Sequence, residues 1–471
     1  MKSSLPPGAF ADSIHTHPIG TYTERALARS LFSNGTARLC FAATMTVAIA
    51  AAAARADVIH VPDDQPTIQA GVDAAVTGDE VVVAPGEYIL GEFENVTINQ
   101  KSVTVRSSGG AEATTIQGGG AFPVMHLGLN DSTIQGFTIT GGVQYSLFAG
   151  GGISILGGSP TIRDCTFINN VAEDVLKGGA VGGSNASCTI IGCTFIKNSS
   201  YDGGAVRMDL SASITDSTFD GNSATHYHGG AVSISSGTIE NCTFTGNLAN
   251  LDGAAVYSNG SVSIRESTFT GNHASRDGGA VHTGGGDLTD CTFEMNEGSS
   301  GGGAWVDSDT TVSGCTFDDN TATSNGGGIH IGGASSTVTR CTFQANDASG
   351  TGGGLYLGAG ATATMTDSTL CGNIPDDIDS NGVLNASGVV IAVDGADCQS
   401  AVSIFGACSV PGGACVTTTA PSCESAGGDY LGDGMTCDDV PPRIPGDVDG
   451  DGDFDLDDVA HLLAGFSGPL P

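Results

Sequence analysis

One phrase returns nine times between residues 165 and 373, and it leaves little choice of fold. Cys165-Thr166-Phe167 is followed by Asn170, and Cys193-Thr194-Phe195 by Asn198. The same five-residue separation joins Ser217 to Asn222, Cys242 to Asn247, Ser267 to Asn272 and Cys291 to Asn296. It joins Cys315 to Asn320, Cys341 to Asn346 and Ser368 to Asn373 as well. A second phrase falls between them, as in Gly203-Gly204-Ala205-Val206 and Gly278-Gly279-Ala280-Val281. Successive copies lie 24–28 residues apart, a period that belongs to solenoids.

Within a copy the apolar positions alternate, as Cys165 and Phe167 do around Thr166. Alternation is the strand period, not the helical one. Short strands broken by Gly and Asn turns predict a coil of parallel strands, each turn stacked on the last at about 4.8 Å. Like residues then lie above like residues. Phe fills the interior, and the Asn is expected to hold a left-handed turn and bond its amide to the next coil. The Gly pairs give a corner that side chains would block. An antiparallel sandwich would not need so strict a beat.

The fold class is therefore all-β: a right-handed parallel β-helix over residues 57–390. Ile68, Val72, Ala75 and Val76 have helical spacing ahead of Val81-Val82-Val83. They predict a helix that caps the open apolar end of the first coil. At the Cys/Ser position Cys242 stands between Ser217 and Ser267, so a disulfide ladder cannot be its general purpose. Stacked side chains also stand too far apart for that bond. A small buried residue is what the position asks for.

The apolar run Leu39 to Ala54 follows Arg25, Arg29 and Arg38 and ends in Ala54-Arg55-Ala56. It reads as a secretory signal within a leader of residues 1–56, which places the mature protein outside the cell or on its surface. A membrane anchor is the alternative. No other segment is long and apolar enough to span a bilayer. The chain carries a net charge of -36, and loss of residues 1–56 removes 5 basic and 2 acidic residues, making it -39. Such a surface repels phosphate backbones and excludes nucleic acid as a partner.

The segment 391–440 holds Cys398, Cys408, Cys415, Cys423 and Cys437. In an exported chain Cys408, Cys415, Cys423 and Cys437 are expected to cross-link a small module, alone or with Cys371 and Cys398. After Pro441-Pro442 the composition changes. Asp447, Asp449, Asp451, Asp455 and Asp458 fall at positions 1, 3, 5, 9 and 12 of a loop with Gly452 at position 6. Asp453 at position 7 adds a backbone carbonyl. That spacing wraps oxygens round one hard cation, and calcium is the expected ligand. Val459, Leu462, Leu463 and Phe466 keep helical spacing after it, so residues 441–471 read as a loop–helix unit. A second run, Asp377 to Gly382, reads as the last coil's turn.

The stretch Pro66-Thr67-Ile68-Gln69 through Asp79, Val81-Val82-Val83 and Pro85-Gly86-Glu87-Tyr88 resembles the start of pectin-lyase-like β-helix proteins. The Phe-x-x-Asn and Gly-Gly-Ala-Val phrases resemble repeats of chlamydial polymorphic outer-membrane proteins, which are surface adhesins. Residues 441–471 resemble one repeat of a type I dockerin, and that resemblance implies a cohesin-like partner. Dockerins usually carry two such repeats.

Pectin-lyase-like folds often host lyases and glycosidases. Their chemistry needs a base beside a calcium-bound uronate, or carboxylates paired across a sugar. The mature chain has ten basic residues, and the Gly-His-Gly motif of polygalacturonases is absent. The strands after the Gly corners offer a binding face instead. With Val206 and Met208 inward, Arg207 and Asp209 face out. The equivalent outward ladder reads Arg207, Ser233, Tyr257, His282, Val306, His330 and Tyr356, a row expected to stack on a polysaccharide or a surface protein. His226-Tyr227-His228 is a weaker candidate for a metal.

Overall fold

The computed structural model describes residues 56–391, apart from 145–149, 174–176, 308 and 334, and the backbone of 406–410, 414–418 and 429–433. Residues 1–55, the expected calcium loop and helix within 441–471, and most of the Cys-rich segment lie outside the described residues. Among the described residues no helix is long and apolar enough to cross a membrane.

The central coils are built from the same three pieces. In one, a long strand Val206–Thr215 is followed by Thr218–Asp220 and then by Ser223–Ala224. The next coil repeats them as Val232–Glu240, Thr243–Thr245 and Leu248–Ala249. All three pieces pair in parallel with their counterparts one coil on. The stacked pieces form three long sheets, one of them thirteen-stranded, and so a solenoid of about thirteen turns. The sequence alternation becomes an inside and an outside: Val206, Met208, Ala212, Ile214, Phe219 and Ala224 all point inward and are buried.

The interior is a set of columns. Eight Phe rings, from Phe167 to Phe343, stack with centroids 4.6–5.0 Å apart and planes within 7° of one another. Beside them runs a column of buried Asn. Asn198 donates its side-chain amide to Asn222 Oδ1 at 3.0 Å and to the Phe167 carbonyl at 3.1 Å. Its backbone N–H reaches the same Asn222 oxygen at 3.0 Å. The pattern continues coil by coil to Asn373, whose amide ends on Asp377 Oδ1 at 2.6 Å. Buried amides are thereby satisfied without water.

The left-handed residue is not this Asn, as the sequence suggested, but its predecessor. Asn169, Lys197, Gly221, Gly246, Gly271, Met295, Asp319, Ala345 and Gly372 all have φ between +52° and +63°. A second left-handed position precedes each Cys or Ser, for example Asp216 and Glu266. The Asn itself must keep both its N–H and its amide aimed along the column, so the turn falls one residue earlier. At the third corner Gly203 has φ +66°, and a Cβ on Gly204 would stand 2.0 Å from the Gly230 carbonyl oxygen.

Cys and Ser prove interchangeable because they make one contact. Ser267 Oγ donates to the Arg265 carbonyl at 2.8 Å, and Cys242 Sγ to the Glu240 carbonyl at 3.2 Å. The seven cysteines from Cys165 to Cys341 are free and buried. Cys371, at the end of the solenoid, is disulfide-bonded.

The capping helix spans Ile68–Ala74, with Thr67 Oγ1 accepting from the Ala70 N–H. Ile68 and Val72 are buried against the first coil, whereas Val76 lies past the helix and is exposed. Lys101 donates to the carbonyls of Val72 and Ala75, placing a cation at the helix C-terminus. Asp377 opens onto the strand Ile378–Ser380, which continues the solenoid beside Leu355–Leu357. Beyond it, Gly406–Val410 pairs antiparallel with both Ala414–Thr418 and Asp429–Asp433.

Candidate functional site

The face that follows the Gly corners carries the densest chemistry on the solenoid. Strand register places Arg207, Ser233, Tyr257, His282, Trp305, His330 and Tyr356 one above another, with Asp379 next in the row. Asp209 lies two residues along the same strand from Arg207, on the same outward side. Of the eight residues named from the sequence for this face, seven share it: Arg207, Asp209, Ser233, Tyr257, His282, His330 and Tyr356. Val306 does not: it points inward and is fully buried, and Trp305 takes its place. The slip arises at Gly301-Gly302-Gly303, where Gly301 holds the left-handed corner at φ +64°. Counting four residues on from the left-handed glycine finds the outward residue in each of the seven coils from Gly203 to Gly352.

The rings follow one another along the row, three pairs stacked and two tilted. His228 and Tyr257 have centroids 4.1 Å apart, Trp305 and His330 3.7 Å, and His330 and Tyr356 4.7 Å. Tyr257–His282 at 5.3 Å and His282–Trp305 at 6.1 Å close the series. Faces so engaged leave no room for a sugar between them, so a ligand meets ring edges and hydrogen-bonding atoms. Two edges are already fixed: Trp305 Nε1 donates to Asp307 Oδ1 at 2.7 Å, and Asn381 Nδ2 to the Tyr356 hydroxyl at 2.7 Å.

A second row runs beside the rings, made of the residue just before each corner glycine. It holds Asp202, His228, Asp252 and Asp277; of these the sequence reading selected only His228, and that as a candidate metal ligand. The constant offset from the glycine was the signal that could have found them. Arg207 Nε donates to Asp202 Oδ2 at 2.9 Å, and its Nη1 lies 3.4 Å from Asp209 Oδ1. His228 Nδ1 lies 3.0 Å from Asp252 Oδ2, an oblique contact rather than a well-aligned hydrogen bond. Asp252 Oδ1 accepts from the Asp277 N–H at 3.1 Å. Arg276 approaches both carboxylates at 3.8 Å.

The two neighbouring carboxyls are driven apart in acidity. Burial raises Asp277, and the charges of Asp252 and Asp307 raise it further against the pull of Arg276. Burial also raises Asp252, but His228 and the Asp277 N–H outweigh it, and the net direction is down. Burial lowers His282 against the opposing charges of Asp252 and Asp307, and pushes His330 down to about 4. Burial and nearby Asp252 raise Tyr257.

The remaining sequence candidates separate. His226 stacks on Tyr201 at 4.0 Å, while His228 turns to Asp252. Among the described residues no group of three or more His, Cys, Asp or Glu is arranged to hold a metal. Asp447, Asp449, Asp451, Asp453, Asp455 and Asp458 lie outside the described residues. A cavity of about 520 Å³ opens beside the capping helix, but its Gln69 and Glu94 are bonded internally to Thr97 and Gly91.

The family model for a right-handed beta helix region matches residues 204–374. The chain has the right-handed parallel β-helix fold. Among solved structures, it is similar to the A-module of a mannuronan C-5 epimerase from Azotobacter vinelandii, at 15% identity and a TM-score of 0.36. That match covers 69% of this chain and 94% of the other. It is also similar to the ORF18 protein of Geobacillus virus E2, at 14% identity and a TM-score of 0.24, covering 67% of this chain and 54% of that one. No curated protein matches the sequence.

Proposed function

We propose that this is an exported, surface-associated β-helix protein that binds a polysaccharide along the face from Arg207 to Tyr356. The observation that carries the reading is the unbroken register of that row: seven outward positions, one per coil, beside a second polar row. A polymer lying along the solenoid axis meets a repeating set of donors and acceptors at about 4.8 Å intervals. In this reading the acidic loop Asp447–Asp458 takes calcium and attaches the protein to a cohesin-like or envelope partner. The resemblance of the repeats to those of surface adhesins supports the same placement.

A second reading is hydrolysis on the same face. Asp252 and Asp277 favour it, because neighbouring carboxyls of opposite acidity are what an acid–base pair requires. Incubating residues 57–471 with uronate-rich and neutral polysaccharides, with and without calcium, separates the two. Retention of a polysaccharide without new reducing ends supports binding. New reducing ends that vanish in Asp277→Asn support hydrolysis. Neither retention nor turnover defeats both.

A further inference from the structure

The cavity beside the capping helix lies apart from the outward face. It encloses about 520 Å³ between that helix and the segment 90–95, which joins the strands Gly86–Ile89 and Val96–Asn99. Small-ligand sites span ~300–1,000 Å³. Thr97, in its wall, is in strand register with Arg207 through His126, Ser154 and Gly182. Ser154 is only 1% exposed, so no polymer runs along the row from the outward face into the cavity.

Both walls are held by bonds of their own. On the helix side Gln69 Nε2 donates to Asp73 Oδ1 at 2.7 Å and to the Thr97 carbonyl at 3.2 Å, and the Thr97 N–H donates to Gln69 Oε1 at 2.7 Å. Opposite, the Leu90 N–H donates to the Gln117 carbonyl at 2.9 Å, and the Gly91 N–H to Glu94 Oε2 at 2.9 Å. Walls fixed in advance cost little further ordering when a ligand enters.

The lining has an apolar and a polar part. Ile68 and Val96 are buried. Tyr88 is half-buried, its hydroxyl donating to the Ala84 carbonyl at 2.9 Å. Phe93 is 70% exposed and meets Phe122 edge-on, with centroids 6.1 Å apart. The polar part keeps two atoms open. Glu94 uses only Oε2 internally, and Asn95 uses only Oδ1, which accepts from Thr97 Oγ1 at 2.8 Å. Glu94 Oε1 and Asn95 Nδ2 are not enclosed, so a ligand can reach both.

Among the described residues no Lys, Arg or His lines the cavity. An anion there would face Glu94 without compensation, on a chain of net charge -36. An alkyl chain would suit Ile68 and Val96 but cover the two open polar atoms unpaired. A sugar ring carries both surfaces: a C–H face for an aromatic ring, and hydroxyls that donate to a carboxylate and accept from an amide. We propose that this cavity binds a short neutral saccharide, with Tyr88 and Phe93 against the ring face and Glu94 and Asn95 on the hydroxyls. The site stands independently of polymer binding on the outward face.

The test titrates residues 57–471 by ligand-observed NMR with disaccharides of glucose, galactose, mannose and xylose, with digalacturonate and with benzyltrimethylammonium. At least one neutral disaccharide should bind about tenfold more tightly than digalacturonate. Phe93→Ala should weaken that binding about fivefold. Glu94→Gln, whose amide oxygen still accepts from Gly91, should weaken it about threefold. Leu248→Ala, an exposed apolar residue on the nine-stranded sheet, should leave it unchanged. A polymer of the bound sugar, compared per chain end, separates the sources: equal affinity assigns a chain end, and far weaker binding a free saccharide. Binding of no neutral disaccharide overturns the proposal and leaves polymer retention on the outward face standing. Tighter binding of digalacturonate or of benzyltrimethylammonium also overturns it. So does saccharide binding that neither Phe93→Ala nor Glu94→Gln weakens, because the sugar then sits elsewhere. The comparison of probes on the unaltered chain holds even where a variant fails to fold.

Discussion

His228 and Asp252 meet at 3.0 Å across adjacent coils, and Tyr257 lies on the imidazole with its ring centre 4.1 Å away. The pair fixes Asp252 as the carboxylate that stays ionised and leaves Asp277, one coil on, as the one that resists ionisation. Asp252 has its folded acidity lowered, so its contribution is present above the unfolded value near 4 and is lost as pH falls through the folded one. Asp277 has the opposite sign and weakens the fold as it ionises. Asp277→Asn should therefore raise stability at neutral pH by about 1 kcal/mol, and Asp252→Asn should lower it by about 2 kcal/mol. Urea unfolding of both variants checks the signs; two changes of the same sign would contradict the assignment.

A second pH effect comes from His330. Its folded value near 4 lies below the unfolded 6.5, so the unfolded chain binds the extra proton between them. Stability should be intact above about pH 6.5 and fall as the pH drops towards 4, by an amount of the order of 3 kcal/mol. Melting temperature measured across that range should fall less steeply in His330→Phe. An unchanged slope would mean that the imidazole titrates in both states alike.

The Asn column makes the middle of the solenoid its most demanding part. Asn247→Ala strips an acceptor from both N–H groups of Asn222 and a donor from the Phe219 carbonyl. The expected loss is about 3 kcal/mol or more, seen as a shift in urea midpoint. Cys242→Ser, by contrast, should cost under about 1.5 kcal/mol, because the hydroxyl can repeat the contact that Ser267 makes. Thiol labelling should find the cysteines from Cys165 to Cys341 reactive only after unfolding.

Calcium should bind the chain through its acidic tail. Asp447→Ala with Asp451→Ala should abolish a calorimetric calcium signal and leave thermal unfolding of the solenoid unchanged in calcium-free buffer. An undiminished signal would place the cation elsewhere.

Most of the fold was legible in the sequence because the repeat forces like residues above like. Phe167 and its successors could only be interior, and Asn170 and its successors could only bond along the axis. The left-handed turns were less legible. Lys197, Met295, Arg340 and Ala345 hold positive φ, although none advertises it, because the pattern is set by the ladders on either side. The outward row was misplaced by one residue in a single coil, at Trp305, although His330 and Tyr356 also follow three glycines and fall on the row. The acid row was missed for a different reason. Asp202, Asp252 and Asp277 are ordinary corner residues in sequence, and only the stacking of coils gathers them into one electrostatic site.

The left-handed corners and the Asn column together make every coil a complete module with the same two mating surfaces. A tandem duplication of 24–28 residues would insert one more rung and meet an amide above and a carbonyl below. The length of the outward face is thus open to change by whole coils, with no need to redesign the interior.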